Sequence, residues 1–352
     1  MLQVNIQKRL GDFRLDVAFE TDREVMALLG ASGCGKSVTL KCIAGVERPD
    51  SGRIVLNGRV LFDSDRRIDL PPQKRRVGYL FQNYALVPHM TAAENVAAGA
   101  RHLPPRERQA AAAKQLRAFR LEGLEKHRPH QLSGGQQQRL ALARILAGEP
   151  EILLLDEPFS ALDSYLKWQL ELEMMDTLKE FPGDVVFVSH SRDEVYRLCR
   201  SVCVLTEGRS EPKETVRRLM EAPGTVSAAL LSGCKNISRA ERLDGHTLRC
   251  ADWGVTLRTA AEAPENVSAA GVRAHHLIPG AAGENDVPCA VVRVIDDTFS
   301  TVVMLATPGG SSGRALLRLE LDKERWAALG GPERLTVHVP PEQVMALTGG
   351  GL

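Results

Sequence analysis

Five short apolar runs define the core this chain has to build: VMALLG at 25–30, RVGYLFQ at 76–82, EILLLDEP at 151–158, VVFVSH at 185–190 and VCVLTEG at 202–208. Each is bounded by turn residues and lacks the alternation of a strand with one wet face, which suits strands buried on both sides. Helical stretches separate most of them. In one, Leu166, Leu170, Met174 and Leu178 recur at intervals of four and mark a single apolar stripe. Strand and helix in repetition predict an α/β fold with a mostly parallel sheet covered on both faces. LQVNIQ and FRLDVAF, near the start, do alternate and read as half-buried antiparallel strands at the edge of that sheet.

The texture changes twice. Between about 90 and 132 it becomes charged and alanine-rich (RERQAAAAKQLRAF), which predicts a helical insert. After about 230, short β-like runs such as HTLRC, GVTLRT, AVVRVI and TVVMLA alternate with Gly, Pro and Asn clusters, which predicts a small all-β domain over 231–352 behind a first domain over 1–230. With 45 Lys plus Arg against 44 Asp plus Glu, the formal charge is +1, and no basic stripe argues for nucleic acid. Seven scattered cysteines without C-x-x-C pairs fit reduced thiols and a cytosolic setting. MLQVNIQKRL lacks the apolar centre of a signal peptide and no run is long enough to span a membrane, so membrane work would need another subunit.

GASGCGKS at 30–37 fills every fixed position of G-x-x-x-x-G-K-[ST], after a buried run and before a helical one. Glycines let backbone N–H groups turn toward phosphate, and the helix start adds partial positive charge. Lys36 is expected on the β- and γ-phosphates and Ser37 on Mg²⁺. EILLLDEP puts Asp156 at a strand end, where a carboxylate can hold Mg²⁺ or its water. Glu157 beside it suits a general base on the attacking water, although two acids ending a strand also make a plain solvated turn. LSGGQQQR at 132–139 is a second glycine turn opening a helix. It has no lysine, and Ser133 alone could be an ordinary cap.

Together GASGCGKS, LSGGQQQR, the D-E-P at 156–158, SALD at 160–163, Gln82 in LFQNY and His190 in VFVSH resemble the ATP-binding cassette (ABC) family, in the family's order. The resemblance implies a P-loop ATPase fold and an ATPase activity. ATP with Mg²⁺ is expected on Gly30, Ala31, Ser32, Gly33, Cys34, Gly35, Lys36, Ser37 and Val38, with Gln82 touching the metal and sensing a transmembrane partner and His190 contacting the γ-phosphate. Glu157, His190 and Gln82 form the expected catalytic set, and Ser37, Gln82 and Asp156 the metal set. Ser133, Gly134, Gly135 and Gln136 would meet ATP held by the other subunit of a head-to-tail homodimer, with Asp163 at the seam. The family's adenine-stacking aromatic has no clean counterpart: Phe19 reads as core by alternation with Val17, leaving Phe13. Val38 affects only helix packing.

One cassette followed by a β domain resembles bacterial importer ATPases whose C-terminal OB-like domains regulate. KRLGDFRLDVAF, GRIVLNGRVLFDS and LPPQKRRVGYLFQNYALVPHMTAAENV resemble the ATP-binding subunit of molybdate importers, and GVRAHHLIPG and VHVPPEQVMAL resemble pieces of a molybdate-type domain. This implies work at the cytoplasmic face of the membrane with permease subunits and an extracytoplasmic substrate-binding protein. It also raises a regulatory oxyanion on the β domain, where Thr298, Ser300 and Thr301 offer hydroxyls. Sulfate, tungstate or another solute stays open, and a soluble ABC ATPase acting on nucleic acid or the ribosome is the alternative of a different class.

Overall fold

The computed structural model describes residues 1–160, 164–310 and 315–349, with the backbone alone at 164–166. Asp163 and the side chain of Leu166 therefore lie outside the described residues. The chain forms two compact units, Met1–Val216 and Arg217–Leu352.

The first unit is built on a twelve-stranded sheet. Its antiparallel half contains β1 (Leu2–Leu10), β2 (Phe13–Thr21), β4 (Ser51–Leu56), β5 (Arg59–Asp63) and β6 (Ile68–Asp69). The parallel half runs in the order β10 (Ser201–Thr206), β3 (Val25–Leu29), β9 (Asp184–Ser189), β8 (Ile152–Asp156), β7 (Val77–Leu80). Short strands β11 (Arg209–Ser210) and β12 (Glu214–Thr215) both pair with β10, and β11 also joins β2. The five apolar runs are thus the five parallel strands, and β8 and β9 are buried at every position, as their lack of alternation requires. The alternation of β1 and β2 is visible as alternating burial, but these strands are not at the edge. They lie between β4 and β11 because GRIVLNGRVLFD adds a further hairpin outside them.

Helices α1 (Lys36–Ala44), α2 (Pro72–Arg75), α6 (Ser164–Glu180) and α7 (Arg192–Leu198) connect these strands. On α6, Leu170, Met174 and Leu178 are buried, as their spacing predicts. Helices α3 (Ala92–Gly99), α4 (Pro105–Ala118) and α5 (Gly134–Leu146) share a separate apolar cluster that includes Val96, Leu116, Leu121 and Leu140.

The second unit holds α8 (Val216–Glu221, whose first residue closes the first unit), α9 (Val226–Leu231) and α10 (Lys323–Ala328) beside two five-stranded sheets. One sheet has β13 (Asn236–Asp244), β14 (Thr247–Cys250), β15 (Val255–Arg258), β16 (Ala269–Val272) and β22 (Met345–Leu347). The other has β17 (Ile278–Pro279), β18 (Asp286–Asp296), β19 (Ser300–Ala306), β20 (Leu317–Asp322) and β21 (Arg334–His338). Trp253, Val303, Leu319 and Val337 centre its core. The unit begins before residue 231 because α9 packs Val226 and Ala229 against Ala269 and Leu347. All seven cysteines are unpaired and buried, and burial pushes the Cys42 and Cys203 thiols up to about 12, so they stay protonated. Among the described residues no helix is long and apolar enough to cross a membrane.

One buried cation anchors the helix that carries the site. Arg75 is fully buried and donates to the carbonyls of Cys42 and Ile43, at the C-terminal end of α1, and to that of Leu70. Asp69 pairs with it at 2.8 Å. Arg75→Ala removes a buried donor from two helix-end carbonyls and leaves Asp69 without its partner, and a loss of about 3 kcal/mol is expected. Urea unfolding measures it; an unchanged midpoint would remove Arg75 from this role.

Candidate active site

The turn between β3 and α1 is glycine-dependent. Gly33 and Gly35 sit at φ of 81° and 106°, in the left-handed region that glycine tolerates. A Cβ on Gly35 would also stand 2.5 Å from Leu15 Cδ1 and 3.1 Å from Phe13 Cζ. Helix α1 starts without a side-chain cap and without an acidic residue in its first turn, which leaves its first N–H groups suited to an anion. Lys36 is buried and curls back over the turn, its Nζ donating to the carbonyls of Gly30 at 2.7 Å and Ala31 at 2.8 Å. The Cys34 sulfur at 3.7 Å is its remaining acceptor, a weak one that a phosphate oxygen would outcompete.

Asp156 ends β8 with its carboxylate almost fully buried. Ser37 Oγ donates to Oδ1 at 2.9 Å and Tyr79 Oη donates to Oδ2 at 2.9 Å. Burial raises this carboxyl above its ordinary 3.8, the neighbouring Glu157 adds to the rise, and the two hydroxyl donors oppose it. A hard cation favours such an oxygen set, and Ser37 with Asp156 fits Mg²⁺ completed by phosphate and water. No cluster of three or more His, Cys, Asp or Glu offers a metal site among the described residues.

Glu157 is the point where the expected catalytic residues meet. Gln82 Nε2 donates to its Oε2 at 3.4 Å, and His190 Nδ1 lies 3.6 Å from its Oε1. Its backbone has φ of 46°, a costly conformation for a non-glycine residue, held by bonds from Glu157 N to Val188 O and from Ser160 N and Oγ to Glu157 O. The Gln82 amide also reaches Ser160 Oγ at 3.4 Å, so in this structure it faces the Glu157 side rather than Ser37.

LSGGQQQR makes a capping box: Ser133 Oγ accepts from Gln136 N and Gln136 Oε1 accepts from Ser133 N. The cap leaves Gly134 and Gly135 as the first two residues of α5, with N–H groups that the helix itself does not use. No described hydrogen bond or ion pair joins this end of α5 to the turn at 30–37. Asp163 lies outside the described residues.

Two residues escaped the sequence reading. Tyr79 passed as strand core, although a phenol in an otherwise apolar buried run signals a polar partner. Ser160 was read only as part of SALD. Phe13, the aromatic left once Phe19 is read as core, has its ring beside Gly35 and Gly208, on the flank of the turn; Phe19 is core, as alternation predicts. Val38 packs against the first unit's core. In the second unit Ser300 Oγ donates to Glu320 Oε1 at 3.3 Å, the other oxygen of that carboxylate accepts from Arg318 at 3.4 Å, and Thr301 is buried.

Residues 15–160 match the family described as "ABC transporter". The "Molybdenum import ATP-binding protein ModC" of Paramagnetospirillum magneticum is 41% identical over 224 residues, covering 64% of this chain and 62% of that protein, less than two thirds of its length. The "Spermidine/putrescine import ATP-binding protein PotA" of Rubrobacter xylanophilus is 36% identical over 360 residues, covering 98% of this chain and 93% of that one. Among solved structures, the dimeric post-hydrolysis state of the ATP-binding cassette MJ0796 bound to ADP and Pi superposes with a TM-score of 0.53 at 30% identity, over 62% of this chain and 99% of that chain.

The raised Asp156 carboxyl has a stability consequence. Folding favours its protonated form, so the associated stability is complete below about pH 4 and is lost as pH rises through the higher folded value. Asp156→Asn removes that dependence. Without nucleotide or metal it should melt above the native protein at about pH 7.5, with the gap closing toward pH 4. A lower melting temperature at neutral pH would contradict the burial argument.

Proposed function

The chain belongs to the ABC transporter family, and from that premise we propose that it is the ATP-hydrolysing subunit of an importer. The observation that carries this reading is the convergence of Gln82, His190 and Glu157 beside a turn whose lysine and helix end suit phosphate. Lys36 and the N–H groups of 30–38 hold the phosphates, and Phe13 flanks the base. Ser37 and Asp156 hold Mg²⁺, which when bound offsets phosphate charge. Glu157 polarises the attacking water, with His190 steadying the γ-phosphate. Gln82, joined to Glu157 and Ser160, tells the site whether a permease is engaged.

Ser133, Gly134, Gly135 and Gln136 complete the site of a second copy, so ATP closes a head-to-tail homodimer and hydrolysis reopens it. The subunit works at the cytoplasmic face of the membrane, with permease subunits and an extracytoplasmic binding protein. The transported solute is molybdate or tungstate, in line with the cassette's similarity to the molybdenum importer protein. A polyamine is the second reading, favoured by a match to the spermidine/putrescine protein that runs through both units.

Glu157→Gln should retain ATP binding and slow hydrolysis roughly 10²–10⁴-fold, because it preserves shape and removes the base. Near-normal turnover would end that assignment. Shared sites are tested by mixing two inactive variants, Lys36→Ala and Gly135→Asp. The second puts a carboxylate where a partner's γ-phosphate must approach bare backbone. If sites are shared, each mixed dimer keeps one intact site and traps nucleotide there; heterodimers that trap no more than either parent refute sharing. For the solute, molybdate at millimolar concentration should raise the melting temperature of the full chain if the second unit senses it. A rise with spermidine and none with molybdate or tungstate would favour the polyamine.

A further inference from the structure

We infer that Tyr79 is a positioning residue for the metal: its hydroxyl fixes the rotation of the Asp156 carboxylate so that one oxygen is always presented to Ser37 and the cation. The inference rests on the assignment of Asp156 to Mg²⁺ made above.

Strands β7 and β8 are parallel, and Tyr79 stands opposite Leu154. Asp156 lies two residues further along β8, so its side chain shares a sheet face with that of Leu154. Two residues of strand advance by roughly 6.6 Å, a span that a tyrosine side chain laid along the strand can reach and a shorter polar residue cannot. Its hydroxyl meets Oδ2 at 2.9 Å, in a buried position. The ring is clamped by Phe81, with centroids 4.1 Å apart. Oδ1 meanwhile accepts from Ser37 Oγ at 2.9 Å. The two oxygens therefore have different tasks: Oδ2 is tied to a buried ring packed against Phe81, and Oδ1 faces the N-terminus of α1, where phosphate and cation are expected. A carboxylate free to rotate about its last bond would present either oxygen, or neither, to the cation. Partners of a ligating carboxylate affect metal affinity in this way without touching the metal.

The test uses the full chain with ADP and Mn²⁺ as the probe, titrated by the paramagnetic resonance signal of free Mn²⁺. Tyr79→Phe keeps the ring and its contact with Phe81 while deleting the hydroxyl. The dissociation constant of Mn²⁺ from the protein–ADP complex should rise about tenfold, with metal-free ADP binding unchanged. The half-saturating Mn²⁺ for ATP hydrolysis should rise in parallel, whereas KM for ATP at saturating Mn²⁺ stays within about twofold. A purely structural role for the hydroxyl would lower stability and leave the Mn²⁺ constant alone, and that result would overturn the inference. Asp156→Asn completes a double-mutant cycle. If Tyr79 acts through Asp156, adding Tyr79→Phe to Asp156→Asn weakens Mn²⁺ no further, and a full additional loss would show that it acts by another route. An Asp156→Asn protein that binds Mn²⁺ like the native one would instead defeat the assignment of Asp156 itself.

Discussion

A carboxylate buried at the end of a central strand has to be met by donors, and in this protein the donors come from two other elements. Ser37 reaches Asp156 from the start of α1 and Tyr79 reaches it from β7, so one acid fixes the relation of β8, β7 and the phosphate-ready turn. Because β3, β9, β8 and β7 are parallel neighbours, the residues that follow each of them gather at one edge of the sheet. The turn at 30–35 follows β3, Gln82 follows β7, Glu157 follows β8 and His190 follows β9. Parallel sheets place ligands outside the carboxyl ends of their strands for this reason.

The same edge carries conformational strain. Glu157, Tyr84 and Ala85 all take left-handed backbone angles without being glycine. Such angles persist only where surrounding bonds over-determine them. At Glu157 those bonds come from Val188 and Ser160. At Tyr84 and Ala85 they come from Arg144, whose guanidinium donates to both carbonyls at 2.9 and 2.6 Å. Arg144 lies in the last turn of α5, the helix that begins at Gly134, so the segment after Gln82 is hydrogen-bonded to the helix that carries the second glycine turn. A displacement of either is therefore felt by the other through two short bonds rather than through packing alone.

What the sequence makes legible follows the length scale of the physics. Burial on both faces leaves its mark in each of the five apolar runs, and the left-handed turn leaves its mark in Gly33 and Gly35, because both constraints act within a few residues. Strand order leaves no local mark. β1 and β2 alternate as strands with one wet face should, yet their place between β4 and β11 depends on the separate hairpin formed by β4 and β5. The Tyr79–Asp156 bond spans seventy-seven positions and was hidden in a run that reads as uniform core. The boundary of the second unit was similarly hidden: the VSAALL helix looks like a continuation of the first unit until its packing against Ala269 and Leu347 is known.

The two glycine turns differ in a way that bears on assembly. Both open helices, α1 without a side-chain cap and α5 with Ser133 capping only Gln136 N, and the first-turn N–H groups left over at either can meet an anion. At α1 a buried lysine is poised over the turn, and at α5 the corresponding positions carry Gly134, Gly135 and uncharged glutamines. The α5 end alone offers partial charges against the full charges of a triphosphate, too little to hold one without help. In the shared site proposed above, another copy's α1 supplies the cation. In the homodimer proposed above, a contact between the α1 end of one copy and the α5 end of the other would be repeated by the two-fold axis, an isologous arrangement in which both lysine-bearing turns and both lysine-free turns are matched in one closed assembly.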